Sequence, residues 1–337
     1  MNDEAALEEM LSEPTTECVD TMRRLDGDLL VLGAAGKMGP SLVRLAIRAS
    51  AAAGVDRAVT AVARFSDHEV RDRLAAAGAR TQALDLTDPD AVAGLPDTPN
   101  VIFMVGQKFG TGGDPGRTWV TNTVAPALVG RRFPRARLVV FSTGNVYPFW
   151  PTSSAGPTEH DAVGPIGEYA QSALARERVI GYYATEAGAR VAILRINYAI
   201  EPRYGVLHDL ADQVRARSAI DLTTGRVNLI WQRDANAIAL RALEQASTPP
   251  LVLNVTGPAA WVRDIAEAFG RRFATAPSFV GETGSTALLS NPARCERLFG
   301  PLPVSLEAMV ARVADWVEAG GRSLGKPTHF GERSGRF

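Results

Sequence analysis

From Asp28 to Gly39 the chain reads Asp-Leu-Leu-Val-Leu-Gly-Ala-Ala-Gly-Lys-Met-Gly, an apolar run followed by three glycines three residues apart. No other stretch constrains the fold as tightly. A short uninterrupted apolar run ended by glycine is how a strand buried on both faces looks, and Pro40 to Ala53 then carries Ala, Leu and Arg at helical spacing. Glycines at such a strand-to-helix turn let the chain reverse sharply, let the backbone approach a diphosphate, and let helix and strand pack closely. The helix start adds unpaired N–H groups and a partial positive charge. A plain tight turn is the alternative reading of the glycines, and their place between strand and helix favours the diphosphate.

The pattern then repeats. Apolar runs at Ala58–Ala63, Thr81–Leu84, Asn100–Val105, Arg137–Phe141, Arg190–Arg195 and Leu251–Val255 read as strands. Helical spacing lies between them, at Glu69–Ala77, at Trp119–Arg131 despite Pro126, and at Tyr169–Glu186. Alternation of this kind predicts an α/β fold with a doubly wound parallel sheet of the Rossmann type. Beyond Arg195 it loosens into helices at Val206–Arg217, Ala235–Gln245, Val262–Phe273 and Ser305–Glu318, with a strand at Arg226–Trp231. The expected division is a dinucleotide-binding domain of residues 27–196 plus 226–257 and a smaller substrate lobe of 197–225 plus 258–325. Residues 1–26 form an N-terminal helical extension broken at Pro14, and the polar, Gly-rich tail from Ser323 is expected on the surface.

A net charge of −1, with acids and bases mixed along the chain, leaves no electrostatic footprint for nucleic acid or an anionic membrane. The acidic N-terminus lacks a signal-type apolar segment, and no run approaches the roughly 20 residues of a membrane span. A cytoplasmic location is expected. Cys18 and Cys295 cannot build a disulfide framework, and the four histidines show no ligand spacing, so no metal site is expected.

The end of the second strand distinguishes the nicotinamide cofactors, because an acid there would hold the ribose 2′-OH of NAD. This chain has Ala63-Arg64-Phe65. Arg64 either meets a 2′-phosphate by charge-assisted hydrogen bonds or is a solvated surface arginine. NADP is favoured over NAD on this ground. Asp85, after the third strand, either accepts from an adenine amino group or caps the helix beginning near Asp88.

With these features the chain resembles the extended short-chain dehydrogenase/reductases, in the NAD-dependent epimerase/dehydratase branch, from about Asp28 to Trp316. The resemblance rests on the glycine turn, Asp85-Leu-Thr-Asp, Asn122 in Asn-Thr-Val-Ala-Pro, and Phe141-Ser-Thr-Gly-Asn-Val-Tyr147. It rests also on Tyr169-Ala-Gln-Ser-Ala-Leu-Ala-Arg-Glu177, Leu194-Arg195 and Asp234 in Trp-Gln-Arg-Asp-Ala. It implies a cofactor held by Gly33, Gly36, Lys37, Met38, Gly39, Arg64, Asp85, Leu86, Val105, Gly106, Asn122 and Asn197. It also implies that Tyr169 exchanges a proton with a substrate hydroxyl or carbonyl while the nicotinamide exchanges a hydride, with Thr143 hydrogen-bonding the same oxygen. Homodimers through the helices of Asn122 and Tyr169 are implied as well.

One element of that pattern is missing. The lysine expected four residues after Tyr169 is Ala173. A free phenol, with pKa about 10, is only about 0.1% ionised at neutral pH, and a nearby ammonium favours the charged form. Its loss removes roughly two to three orders of magnitude of usable base, about 3–4 kcal/mol. Lys108, in Val-Gly-Gln-Lys-Phe-Gly just past the fourth strand, is expected either to supply that charge, or to polarise a substrate oxygen directly, or to lie on the surface.

The resemblance places the substrate against Asn145, Tyr198, Arg203, Tyr204 and Gln232, with caps and surface pairs as the competing explanation for the polar ones. Asp234 is expected to cap a helix. The leading expectation is an NAD(P)-dependent oxidoreductase or epimerase acting on a sugar, sugar acid or nucleotide sugar. A dehydratase would need an acid/base pair, and Gly144 and Asn145 stand where some dehydratases carry two acids. A cofactor-binding regulator without catalysis is the third possibility; the absent lysine favours it and the retained Tyr169 and Thr143 oppose it.

Overall fold

The computed structural model describes residues 3–108, 110 and 113–336. Seven strands form its central sheet: β1 (Leu29–Leu32), β2 (Val59–Ala63), β3 (Arg80–Ala83), β4 (Asn100–Phe103), β5 (Arg137–Thr143), β6 (Arg190–Ile196) and β7 (Leu251–Val255). Their order is β7-β6-β5-β4-β1-β2-β3, and every neighbouring pair is parallel. The direction of winding reverses between β1 and β4, which opens a crevice at the carboxyl ends of those strands.

Successive side chains of a strand face opposite ways, and β1 shows why its sequence is apolar throughout. Leu29 and Val31 enter the cluster under the helices Gly39–Ala52 and Gln232–Gln245, while Leu30 and Leu32 enter the one on the opposite face. The helix expected over Trp119–Arg131 is a longer rod made of Pro115–Trp119, a π turn at Val120–Val124, and Ala125–Arg132. Pro126 has no N–H for the carbonyl four residues back. The wider turn, in which the N–H of Ala125 donates to the Val120 carbonyl, absorbs that defect without ending the helix.

A second hydrophobic cluster holds the lobe together, and the division of the chain is less simple than its sequence suggests. Val227, Leu229 and Trp231 bury in the lobe, whereas the helix that follows them covers the sheet. The N-terminal segment splits likewise. Leu7 and Leu11 of the helix Glu4–Leu11 enter the lobe core, and Cys18 and Met22 of Thr16–Arg24 pack under the sheet.

The C-terminal tail lies on the surface, as its composition predicts, and is tied down there as a strap. The N–H of Leu324 donates to the Arg203 carbonyl at 3.0 Å, and the N–H and hydroxyl of Thr328 donate to Asp209 Oδ2 at 2.9 and 2.5 Å. Gly335 lies backbone-to-backbone against Gly167, both with positive φ, and a Cβ on either would strike the other's main chain. Among the described residues no helix is long and apolar enough to cross a membrane.

Because Leu7 and Leu11 are fully enclosed, Leu7→Ala or Leu11→Ala should each cost about 2–4 kcal/mol of stability. Urea denaturation checks this; a dispensable extension would show no change.

Candidate active site

The turn from Gly33 to Gly39 sits at the mouth of the crevice. A Cβ on Gly33 would collide with Val105, and one on Gly39 with the main chain of Ala34, so both positions exclude any larger residue. At Gly36 a Cβ would meet only the Gly33 carbonyl, at 3.2 Å, and would otherwise project into open space. The N–H groups of Ala35, Lys37 and Met38 donate to no carbonyl among the described residues, and the helix Gly39–Ala52 begins there with no side-chain cap. Unmatched donors at an uncapped helix start suit a diphosphate.

A cavity of about 230 Å³ opens beside this turn. Lys37 and Met38 reach it from the glycine turn, Gly106 and Lys108 from the segment after β4, and Thr143 and Asn145 from the end of β5. Tyr169 and Arg176 come from the helix Gly167–Ala187, Asn197, Tyr198 and Tyr204 from the segment after β6, and Thr328 from the strap. Thr143 accepts from the N–H of Asn145 and donates to its Oδ1, each at 3.1 Å, and its hydroxyl is hydrogen-bonded to the Tyr169 phenol. Asn197 Nδ2 is buried at the wall without a hydrogen-bond partner, available to a bound group.

The positive charge acting on Tyr169 is Arg176. It lies seven residues further along the same helix, two turns on and on the same face. Its guanidinium donates to the Phe141 carbonyl at 2.8 Å and to Asn122 Oδ1 at 2.7 Å, while its Nε is buried without a partner. Burial pushes the Tyr169 phenol above the ordinary range, and Arg176 and the Thr143 hydrogen bond pull it back. Arg176 stands within the same motif, three residues beyond the position where the resemblance expects a lysine. Lys108 lines the same cavity, where its ammonium donates to the Thr328 carbonyl at 3.5 Å and faces Asp209.

Other expected residues have different positions. Asn122 is internally satisfied: its amide accepts from Gln107 and Arg176 and donates to the Gln107 carbonyl and to Ser172. It therefore ties the segment after β4 to the Tyr169 helix and has no hydrogen-bonding capacity left for a cofactor. Arg203 does not line the cavity; it is engaged by Glu201 and Glu8 and approached by Glu4. Gln232 is buried against Ser41, also away from the cavity. Asp234 is not a cap, since its helix begins at Gln232; it pairs with Arg233 and accepts from the N–H of Val304. Arg64 is exposed at the end of β2, near Asp85, whose carboxylate closes a local turn by accepting from the N–H and hydroxyl of Thr87. Asp88 is the cap of the next helix, and Leu86 is buried.

A buried clamp positions Tyr169. Glu177, on the same helix, accepts from Arg195 of β6 at 2.7 and 3.0 Å and from Ser142 of β5 at 2.5 Å, and Arg195 also donates to the Tyr147 hydroxyl at 2.7 Å. Gly144 has no room for a side chain, because a Cβ there would overlap the Asn197 amide.

A crevice of this kind, with an uncapped phosphate turn and a tyrosine beside a threonine, defines a dinucleotide-dependent enzyme. The sequence profile of the NAD dependent epimerase/dehydratase family matches residues 29–255, and the chain belongs to that family. No curated protein matches. Similar solved structures include Pal from Bacillus thuringiensis, with 17% identity, a TM-score of 0.72, and coverage of 87% of this chain and 99% of that one. The UDP-glucose 4-epimerase of Thermotoga maritima with UDP-glucose has 17% identity and a TM-score of 0.71, covering 87% and 99%. The UDP-glucuronic acid 4-epimerase of Bacillus cereus with NAD has 18% identity and a TM-score of 0.70, covering 86% and 96%. At these identities the likeness shows the fold, and family membership makes the protein an NAD(P)-dependent enzyme.

Two lysines of the cavity have unusual acidity. Burial, then repulsion from Lys108, pushes the Lys37 ammonium down to about 7 against the pull of Glu201 and Asp209, with Lys326 adding repulsion. Burial pushes Lys108 to about 8 against the pull of Asp209. An unfolded chain keeps both protons to about pH 10, whereas the folded protein releases them earlier. The unfolded state therefore binds more protons between about pH 7 and 10, and stability rises with pH across that window. The urea midpoint of the ligand-free protein should increase from pH 7 to pH 9, and Lys37→Met should flatten that slope relative to wild type.

Proposed function

We propose that the protein oxidises or epimerises a hydroxyl-bearing carbon of a sugar, sugar acid or nucleotide sugar by hydride transfer, with Tyr169 as the acid/base. The observation that carries this reading is the convergence of the Tyr169 phenol, the Thr143 hydroxyl and the Arg176 guanidinium on one cavity beside the glycine turn. Two structural relatives, a UDP-glucose 4-epimerase with UDP-glucose bound and a UDP-glucuronic acid 4-epimerase, agree with a sugar-type substrate.

The residues of the turn fit a nicotinamide dinucleotide. The N–H groups of Ala35, Lys37 and Met38 would hold its diphosphate, Asp85 and Leu86 would border its adenine end, and Asn197 Nδ2 would donate to the group at the cavity wall. Arg64, exposed beside the adenine end, would meet the 2′-phosphate that distinguishes NADP. When bound, the cofactor supplies the acceptor or donor of the hydride. Thr143 then hydrogen-bonds the substrate oxygen and holds it against Tyr169, which accepts or returns the hydroxyl proton. Arg176 stabilises the phenolate form. A guanidinium keeps its charge throughout the working pH range, so the pH dependence of the step reports Tyr169 rather than its helper. Dehydration by an acid pair is disfavoured, because among the described residues no carboxylate lines the cavity, and Gly144 leaves no space for one.

Tyr169→Phe should lower kcat by about 10²–10⁴-fold, the usual contribution of a general acid/base, while cofactor affinity by calorimetry stays within a few-fold. Arg176→Met should move the limb of the kcat/KM profile assigned to Tyr169 to higher pH, with Arg176→Lys restoring it in part. Full turnover in Tyr169→Phe would end this reading.

A homodimer is part of the same proposal. The two helices named for it pack side by side and present exposed Val120, Val124 and Tyr182. Tyr182→Glu should convert a dimer to a monomer in light scattering, with the far-ultraviolet spectrum unchanged.

A further inference from the structure

Of the 36 basic residues in the chain only three are lysines, and two of them line one cavity. Lys37 and Lys108 line it, and Lys326, on the strap, is close enough to repel Lys37. With Arg176 the cavity wall carries three cations and, among the described residues, no carboxylate. The acids that face the lysines lie outside the cavity wall and also hold other partners. Glu201 accepts from the N–H and Nε of Arg203, and Asp209 Oδ2 accepts two hydrogen bonds from Thr328. Lys37 rests its ammonium 2.8 Å from the centre of the Tyr204 ring, a contact that steadies a cation without neutralising it.

We infer that Lys37 and Lys108 form a seat for an oxyanion carried by the substrate, so that the enzyme takes a monosaccharide-sized acid or phosphate in preference to a neutral sugar. This rests on the hydride-transfer reading for the reaction, but the seat itself does not. Two observations assign the anion to the substrate rather than to the cofactor diphosphate. The main-chain N–H groups of Lys37 and Met38 are unmatched at the helix start, where a diphosphate would take them, whereas the Lys37 side chain leans onto Tyr204, a residue of the segment after β6. Tyr204 in turn interacts electrostatically with Tyr169, which places the seat within reach of the acid/base. A cavity of about 230 Å³ lies below the roughly 300–1,000 Å³ of sites for drug-sized ligands, and suits one sugar ring.

The test has two arms, both on the full-length protein. In the first, thermal denaturation of the cofactor-free protein is compared in malonate, in inorganic phosphate and in chloride at one ionic strength. Wild type should be stabilised by the oxyanions, and Lys37→Met/Lys108→Met should not; equal responses of the two proteins overturn the seat. In the second, cofactor-loaded enzyme receives uronates and aldonates, hexose phosphates, and the matching neutral hexoses, read at 340 nm and by calorimetry. An anionic sugar should bind at least ten-fold more tightly than its neutral partner, and the better of the acid and phosphate sets identifies the oxyanion. Lys108→Met should raise KM for the anionic sugar about 10–100-fold, the worth of a hydrogen bond to a charged group, with kcat changed less and Lys108→Arg restoring much of the loss. NAD(P) affinity should stay within a few-fold in Lys108→Met, and a loss as large as that for the sugar would assign the seat to the cofactor and overturn the inference. Turnover that depends on Tyr169 with a neutral sugar as the better ligand would refute the seat and keep the reaction. Oxyanion stabilisation without Tyr169-dependent turnover would keep the seat and refute the reaction.

Discussion

The ion pair of Glu177 with Arg195 governs how the rest of the site is arranged. Both side chains are almost wholly buried, at 6% exposure each, and such a pair is stable only where its remaining hydrogen-bonding capacity is met. Here Ser142 and Tyr147 meet it. The pair thereby fixes one helix to two strands at once. Ser142 immediately precedes Thr143, and Glu177 follows Tyr169 by just over two helical turns, so the register of this clamp sets the approach of the phenol to the threonine hydroxyl. Removing one partner would leave a buried charge uncompensated, at a cost of about 3–5 kcal/mol.

Arg176 builds on that clamp. An ammonium four residues after a tyrosine sits one turn away and can rotate its three donors. A guanidinium seven residues away must reach back along the helix, and it does so with two of its nitrogens held by Phe141 and Asn122. The arginine therefore does structural and electrostatic work together. It joins the end of β5 to the helix whose π turn carries Asn122, and it keeps a permanent positive charge near Tyr169. The closeness of Gly106 belongs to the same arrangement, since a side chain at that position would meet the guanidinium.

The sheet was legible because its strands are short, apolar and separated by helices, and burial on both faces imposes that pattern. The glycine turn was legible because sterics leave it few alternatives. Three other features escaped for physical reasons. Arg176 lies outside a fixed four-residue spacing, although helix geometry brings the seventh residue to the same face. The surface position of the tail is legible in its polar, Gly-rich composition, but its anchoring is not: that comes from main-chain hydrogen bonds and from the contact of Gly167 with Gly335, neither of which leaves a hydrophobic period. Arg203 and Gln232 are polar residues near the site in sequence, and only their partners, Glu8 in the N-terminal helix and Ser41 under the sheet, show that they face elsewhere.

Both chain ends thus help to form the lobe side of the cavity. Glu8 and Glu4 hold Arg203, which occupies Glu201, while the strap's Thr328 occupies Asp209. Glu201 and Asp209 still pull on the two ammonium groups, but burial outweighs that pull and both lysines stay below their ordinary range. The terminal segments hold the acids outside the cavity wall, whose own charged side chains, among the described residues, are all basic. Stability lost by crowding two ammonium groups in a partly desolvated space is recovered when an anion enters, so the same interactions that weaken the empty protein strengthen the loaded one.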